Sequence, residues 1–110
     1  MTIFAKIINH EIPADIVYED ELCLAFRDTS PQAPMHILII PKQPIVKLVD
    51  ADASHKELLG HMMIKAAEVA RQQGHDDFRL VVNNGAGAGQ SVFHLHLHIL
   101  AGRSFHWPPG

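Results

Sequence analysis

Three histidines near the C-terminus alternate with apolar residues in the run His94-Leu95-His96-Leu97-His98-Ile99-Leu100. Strict alternation is the period of a β-strand, whose successive side chains point to opposite faces. The pattern therefore predicts a strand with three imidazoles on one face and Leu95, Leu97 and Ile99 on the other, against a core. Such a row of imidazoles could bind a metal ion, or it could act on an anion as nucleophile, acid or base.

The spacing of the histidines weakens the metal hypothesis. Residues i and i+4 of a strand lie about 13 Å apart at their Cα atoms, from about 3.3 Å of rise per residue, whereas zinc holds its ligand nitrogens at about 2.0–2.1 Å. Two of the three could share a metal with His36, but all three would have to lean steeply inward. Cys23 is the only cysteine, so it has no partner for a structural zinc module. A zinc protein stays an alternative, and the favoured hypothesis needs no metal and no other cofactor.

A glycine-rich loop directly before the histidines favours action on an anion. Gly85, Gly87 and Gly89 let the backbone approach a ligand and direct N–H groups toward it. Asn83 and Ser91 add side-chain donors at the ends of this loop. By itself the loop is equally typical of a turn, but beside three histidines it predicts a phosphate site, since positioned donors are most of what phosphoryl transfer requires.

His96 is the best-placed nucleophile, because His94 and His98 flank it on the same predicted face. Attack on phosphorus by an imidazole would split one difficult displacement into two easier ones. His98 could donate to a phosphate oxygen or to the leaving group, and His94 could orient His96 and set its tautomer. His36 alone is more typical of a satisfied core histidine.

A single α+β domain is predicted to position these residues. Apolar spacing indicates a short helix that begins at Ile3 and ends before Pro13. Ser54 and Glu57 match a capping box at the start of a long helix that runs to about Gln73. Strands are predicted over residues 16–18, 22–26, 35–40, 78–82 and 94–100, the first two as a hairpin and the third as a central strand. This grouping favours a mainly antiparallel sheet.

The long helix carries an apolar face wider than one sheet contact needs. This face comprises Leu58, Leu59, Met62, Met63, Ala66, Ala67 and Ala70. The pattern is equally consistent with core packing and with a contact to a second subunit.

Composition bounds the class of protein. The 110 residues suit one domain, and 47% hydrophobic with 19% charged residues indicates a folded chain. The net charge of −3 and the lack of a Lys/Arg run give no support for binding nucleic acid or a membrane surface. We see no signal peptide and no apolar run near the ~20 residues of a membrane span, so a cytoplasmic protein is expected.

The chain resembles the histidine-triad (HIT) superfamily. The run 94–100 fits the motif His-φ-His-φ-His-φ-φ, with φ apolar. The segments Gly89-Gln90-Ser91-Val92-Phe93 and Ser30-Pro31-Gln32-Ala33-Pro34, His36 and the ending His106-Trp107-Pro108-Pro109-Gly110 resemble the Hint branch of that superfamily. The resemblance extends from Ile3 to Gly110.

This resemblance implies a hydrolase of purine nucleoside 5′-phosphoramidates, chiefly adenosine 5′-monophosphoramidates. His96 would attack the α-phosphorus and expel an amine, and water would then release AMP from a nucleotidyl-histidine. His98 would contact the phosphate, and His36 and His94 would support His96. A nucleotide-binding scaffold or regulatory protein with little turnover is the alternative.

The resemblance also implies the nucleotide contacts. Asp28, followed by Thr29, would bind the ribose hydroxyls. The phosphate side would comprise Asn83, Gly89, Gln90 and Ser91, with Ser91 also near the leaving group. The apolar base pocket would comprise Ile3, Phe4, Ile7, Ile12 and Phe26. No base-edge reader separates adenosine from guanosine.

The implied assembly is a homodimer. Its HIT-like fold would have a five-stranded sheet with one long and one short helix, and the sheet would continue across the dimer interface. Residues 1–110 would form one HIT domain. A C-terminal tail over residues 102–110, stiffened by its prolines, would carry Trp107 toward the partner's active site.

Overall fold

Five strands and two α-helices make up the fold in the computed structural model, which describes residues 1–110. The helices are α1 (Ile3–Ile8) and α2 (Lys56–Gln72). The strands are β1 (Ile16–Glu19), β2 (Cys23–Arg27), β3 (Met35–Pro41), β4 (Phe78–Val81) and β5 (Leu97–Ala101). Single 3₁₀ turns cover Leu48–Asp50, Ala53–His55 and Ala86–Ala88. None of the helices is both long and apolar enough to cross a membrane.

The strands form one antiparallel sheet in the order β1-β2-β3-β5-β4. This confirms the predicted α+β class, the antiparallel sheet and the short and long helices. β3 lies at the centre of the sheet and every one of its residues is buried, as its continuous apolarity predicts. Its register pairs Leu38 with His98 and His36 with Leu100, so the two histidines occupy the same face on neighbouring strands.

The two faces of the sheet bury different cores. α2 covers one face, where Ile37, Ile39 and Ile99 are fully buried. α1 covers the other face, where Phe4 and Ile7 pack on alternate residues of β2 and β3 such as Leu38. His36 and His98 belong to the α1 face because of strand alternation. The long helix therefore supports the sheet from behind, and α1 forms one wall of the histidine site.

The strand predicted over residues 94–100 is shorter than its sequence pattern. β5 begins at Leu97, so His94 and His96 precede the strand and only His98 lies on it. The main chain there leaves the sheet, and Leu95 N donates to the carbonyl of Ile45 in the segment after β3. The alternation of apolar side chains into the α2 core persists through Leu95 and Leu97. Alternation thus correctly predicts which side each residue faces, but the prediction of three histidines on one regular strand is wrong.

The predicted capping box of α2 is also wrong. Ser54 lies inside the Ala53–His55 turn, and the Asp52 carboxylate accepts from Ser54 N at 2.8 Å and from Ser54 Oγ at 2.6 Å. Asp52 therefore caps this turn and α2 follows it directly, because a 3₁₀ turn can lead into an α-helix without a second cap. The predicted stop is confirmed, since α2 ends at Gln72 and Gly74 takes a φ of +91°.

The apolar face of α2 divides into a buried and an open part. Leu58, Met62 and Ala66 are buried in the sheet core. Met63 is 52% exposed, and it lines an apolar hollow of about 220 Å³ with Leu59 and with Leu48, Val82, Leu95 and Leu97 from neighbouring segments. The predicted face is therefore only partly used within the chain.

Candidate active site

A cavity of about 590 Å³ opens between α1, the end of β2 and the segment that leads into β5, and it is called the nucleotide cavity after the ligand that the sequence predicts for it. It collects most of the residues predicted to bind a nucleotide. These are Ile3, Phe4, Ile7, Ile12, Phe26, Asp28, Thr29, Ser91, His96 and His98. Pro13, Ala14, Leu38 and Val92 also line it and were not predicted. Of these, Leu38 could have been found, since it shares a strand face with His36.

The apolar wall of this cavity touches the proposed nucleophile. The Phe4 ring packs edge-on against the His96 ring, with centroids 5.0 Å apart, and against the Phe26 ring at 5.4 Å. Edge-to-face packing of this kind holds both partners in one orientation. A flat apolar ligand in the cavity would therefore lie beside a positioned imidazole.

The tautomer of His96 follows from one hydrogen bond. His96 Nδ1 lies 2.8 Å from the main-chain carbonyl of His94. A carbonyl oxygen can only accept, so Nδ1 carries the ring proton. The neutral imidazole then has its lone pair on Nε2, which has no hydrogen-bond partner. His96 is buried yet lines the cavity, so this nitrogen is available to attack a bound electrophile.

A second chain of hydrogen bonds sets the tautomers of His36 and His98. The main-chain N–H of Gln32 donates to His36 Nδ1 at 3.0 Å, so that nitrogen carries no proton. His36 Nε2–H then donates to His98 Nδ1 at 2.9 Å. His98 consequently carries its own proton on Nε2, the nitrogen left to meet a ligand. These two hydrogen bonds link the Gln32 N–H, in the loop before β3, to the Nε2–H donor that His98 presents to the cavity.

Burial keeps these imidazoles neutral. Desolvation lowers the pKa of His98 to about 4, and the nearby His96 and His36 add to the effect. Burial also lowers the pKa of His36, against the opposing charge of Asp28. The pKa of His94 is lowered by burial too. Near neutral pH all three are uncharged, which the tautomer assignments require.

His94 acts on His96 through its backbone and not through its ring. Its Nε2–H donates to the carbonyl of Pro41 at 2.8 Å, and the ring lies edge-on to Phe4 with a centroid separation of 6.3 Å. The side chain is buried and lines neither the nucleotide cavity nor a neighbouring one. The prediction that the His94 imidazole sets the tautomer of His96 is therefore wrong, since the residue's carbonyl does so.

Asp28, the residue predicted to bind the ribose, lies beside His36 and lines the same cavity. Its Oδ2 is 3.5 Å from His36 Nε2, and its Oδ1 accepts from Ser30 N at 2.8 Å. Thr29 and Ser91 are exposed at the rim of the same cavity. The carboxylate thus keeps accepting capacity toward a bound hydroxyl, as a ribose contact needs.

The glycine-rich loop differs in part from its predicted role. The buried Gln90 side chain accepts from Gly85 N and donates to the carbonyls of Val46 and Val92, so its amide braces the loop and has no free N–H. Gly89 adopts a φ of +99° and does not line the nucleotide cavity. The Gly89 main-chain N–H donates to the carbonyl of Ala86 at 3.0 Å, so neither this N–H nor the Gln90 amide is free to meet a ligand.

Asn83 and Trp107 lie outside the nucleotide cavity of the single chain. Asn83 lines a second cavity that also borders His98, described below. Trp107 is 83% exposed and lines neither the nucleotide cavity nor this second cavity. Sequence reasoning also missed the N–H of Gln32, and no side-chain signal could have revealed a main-chain donor.

Two groups of side chains could hold a metal ion. Asp28, His36 and His98 form one inside the site, and Asp20, Cys23 and His61 form the other behind the sheet. In the first group, His36 Nε2 and His98 Nδ1 lie 2.9 Å apart. Ligands of a tetrahedral zinc are separated by about 3.3 Å, from bond lengths of about 2.0–2.1 Å. The observed contact suits a hydrogen bond, so a metal would require the two rings to separate.

Comparison with known proteins agrees with this geometry. The chain is 60% identical over 110 residues to an uncharacterized HIT-like protein of Synechococcus elongatus, covering 99% of this chain and 96% of that one. It is 53% identical over 112 residues to the 14 kDa zinc-binding protein of Zea mays, covering 99% and 88%. The crystal structure of a HIT family hydrolase from Legionella pneumophila superposes with a TM-score of 0.98 at 47% identity, with both chains covered completely. The HIT domain model matches residues 9–105, and the chain belongs to the HIT domain family.

Proposed function

We propose that this protein hydrolyses purine nucleoside 5′-phosphoramidates of the adenosine 5′-monophosphoramidate type, releasing AMP and an amine without a metal. The observation that carries the proposal is the tautomer of His96. Its Nδ1–H is bound to the carbonyl of His94, which leaves Nε2 unprotonated beside an apolar cavity large enough for a nucleoside. A Legionella relative is a HIT family hydrolase, which supports hydrolysis as the reaction class.

In the first step the lone pair of His96 Nε2 attacks the α-phosphorus, and the phosphorus–nitrogen bond breaks. The electron pair of that bond leaves with the amine, which takes up a proton from solvent at the open rim of the cavity. His98 Nε2–H donates to a phosphate oxygen as negative charge concentrates there. The lowered pKa of His98 leaves that histidine uncharged near neutral pH, in the tautomer that donates from Nε2.

In the second step water replaces His96 on phosphorus. The oxygen of the water stays with the phosphate, one proton of the water is released to solvent, and the imidazole returns to its neutral form. Asp28 accepts from ribose hydroxyls, and Phe4, Ile7 and Ile12 cover the base. Ser91 at the rim contacts the phosphate or the departing amine. These contacts position the substrate, which is the main requirement of phosphoryl transfer.

The test is turnover of adenosine and guanosine 5′-phosphoramidates in the presence of EDTA. The wild-type protein is expected to release AMP, and His96→Ala to lose activity by orders of magnitude while staying folded. Intact mass spectrometry of quenched reactions should find an adenylyl adduct on wild type and none on the variant. Binding of AMP without hydrolysis would favour the nucleotide-binding scaffold instead. Activity that EDTA abolishes and zinc restores would favour a metal enzyme.

A homodimer is the second part of the proposal. β4 has a free edge in the sheet, and the open apolar hollow around Met63 lies beside it. Exposed apolar groups of this kind are typical of subunit contacts. Pairing of two β4 edges would continue the sheet and cover the hollow, and the tail with Trp107 would reach the partner's site. In analytical ultracentrifugation, Met63→Glu is expected to lower the sedimentation coefficient to that of a monomer. Leu22→Glu, at the exposed turn before β2, should leave the sedimentation coefficient unchanged. A Met63→Glu variant that sediments like the wild-type protein would contradict this interface.

A further inference from the structure

We propose that a second cavity beside His98 binds a carboxylate carried by the leaving amine, so that a substrate whose amine carries a free carboxylate is preferred over an otherwise similar substrate without one. This inference rests on the proposed phosphoramidase function and specifies its leaving group. The cavity measures about 380 Å³ and lies between β4, the end of β5 and the C-terminal segment. Its lining includes Arg79, Arg103 and His106 and no Asp or Glu side chain.

His98 joins this cavity to the nucleotide cavity. It lines both, whereas His96 lines the nucleotide cavity but not this second cavity. In an in-line displacement the leaving group departs on the side opposite the nucleophile. An amine that leaves a phosphate held by His98 therefore moves away from His96 and toward the second cavity. Asn83 lies on this route as a neutral donor.

The two guanidinium groups are held in place by one aromatic ring. The Cζ atom of Arg103 lies 4.3 Å from the Phe105 ring centroid, and that of Arg79 lies 5.2 Å from it. Stacking on an aromatic face orients a guanidinium and leaves its N–H edge open. Phe105 therefore presents two positive charges together at the wall of the cavity.

Most N–H groups of the two arginines are free to bind an anion. Arg79 donates to the carbonyl of His106 at 3.1 Å, and Arg103 donates to the carbonyls of Gln32 and Ser104 at 3.2 and 2.9 Å. Neither arginine has a carboxylate oxygen within the 4.0 Å of an ion pair, unlike Arg27, which pairs with Asp15 at 3.3 Å. A planar, unpaired guanidinium suits a carboxylate because two parallel N–H donors match its two oxygens.

The experiment compares two substrates that differ only in charge. These are the adenosine 5′-phosphoramidates of glycine and of glycinamide, which have nearly the same size. The wild-type protein is expected to show the higher kcat/KM on the glycine compound. Arg103→Gln and Arg79→Gln should each lower the glycine-to-glycinamide ratio of kcat/KM by about tenfold, the scale of one charge-assisted hydrogen bond. Arg71→Gln, at the exposed end of α2, is the matched control and should leave the ratio unchanged.

Three results would overturn the inference. A wild-type ratio near one would show that the carboxylate is not recognised. Equal losses on both substrates in the arginine variants would show that Arg79 and Arg103 only brace the C-terminal segment. A ratio that Arg71→Gln lowers as much as Arg103→Gln does would show a general effect of net charge.

A binding measurement separates this inference from the proposed function. Calorimetric titration of His96→Ala with each compound reports recognition without turnover. If the glycine compound binds more tightly and Arg103→Gln removes this preference, the carboxylate site is supported. That conclusion holds even if the wild-type protein hydrolyses neither compound, in which case only the proposed function fails. Hydrolysis of both compounds with equal affinities leaves the proposed function intact and rejects the carboxylate site.

Discussion

Replacement of His36 by leucine is expected to lower kcat/KM on an adenosine phosphoramidate by up to about 2-fold, from the net value of one hydrogen bond. His36 relays the main-chain N–H of Gln32 to His98 Nδ1 and so keeps the His98 proton on Nε2. Without that donor His98 can hold its proton on either nitrogen. Only the Nε2–H tautomer donates to the phosphate in the proposed mechanism.

The magnitude follows from the one contact that is lost. A hydrogen bond between neutral groups has a net value of about 0.5–1.5 kcal/mol, which favours the Nε2–H tautomer by a factor of about 2 to 13 and so keeps about 70–93% of His98 in that form, against about half without the donor. Removal of the donor itself, in His98→Ala, should cost about 10²–10³-fold, as for one donor to a developing oxyanion. The two variants are therefore expected to differ by at least tenfold, on the same estimates.

His36→Gln is the matched control. A glutamine side chain offers a carbonyl oxygen to Gln32 N–H and an N–H to His98, so it should recover most of the activity that leucine loses. The His36 side chain is only 4% exposed, so thermal unfolding of each variant must accompany the kinetics. A loss in His36→Leu as large as that in His98→Ala, or equal losses with Leu and Gln, would refute the positioning role.

Two further predictions concern stability. The free energy of unfolding should fall as pH drops from about 6.5 to about 4, because the unfolded chain binds more protons than the folded chain in that window. The lowered pKa values of His36, His94 and His98 cause this difference, and each histidine contributes a slope of at most about 1.4 kcal/mol per pH unit. A stability that does not change with pH in urea denaturation would contradict this prediction. Asp20→Ala should destabilise the fold by about 2–4 kcal/mol, since it leaves Tyr18 Oη and His61 Nε2 without an acceptor that each meets at 2.6 Å. Asp52→Ala, at an exposed turn, should cost less in the same experiment.

The sequence predicts most of the helices and strands, because at most positions the local sequence signal agrees with the tertiary fold. The continuous apolar run in β3 predicts a central strand, and β3 is buried on both faces. The failures occur where tertiary contacts compete with local pattern. Ser54 is a good N-cap by sequence, but Asp52, two residues earlier, already caps the preceding turn. The segment at His94 alternates like a strand, but the chain there bonds to Ile45 and not to the sheet.

The sequence by itself determined which side of the sheet the histidines face and which family the chain belongs to. Alternation sends Leu95 and Leu97 to the α2 core and His96 and His98 to the opposite side, and the motif resemblance identifies the family. Alternation does not depend on whether the backbone is regular, since it needs only an extended chain. For this reason the facing of the histidines was predictable although the strand was not.

Only the tertiary structure decided which nitrogen carries each proton. The deciding groups are main-chain atoms, the carbonyls of His94 and Pro41 and the N–H of Gln32, and every residue type offers the same atoms. Their positions depend on how the loop before β3 and the segment before β5 meet on the sheet. The stacking of Arg79 and Arg103 on Phe105 depends on long-range packing in the same way. The two arginines lie on different segments of the chain, so no helix or strand period in the sequence predicts that they meet.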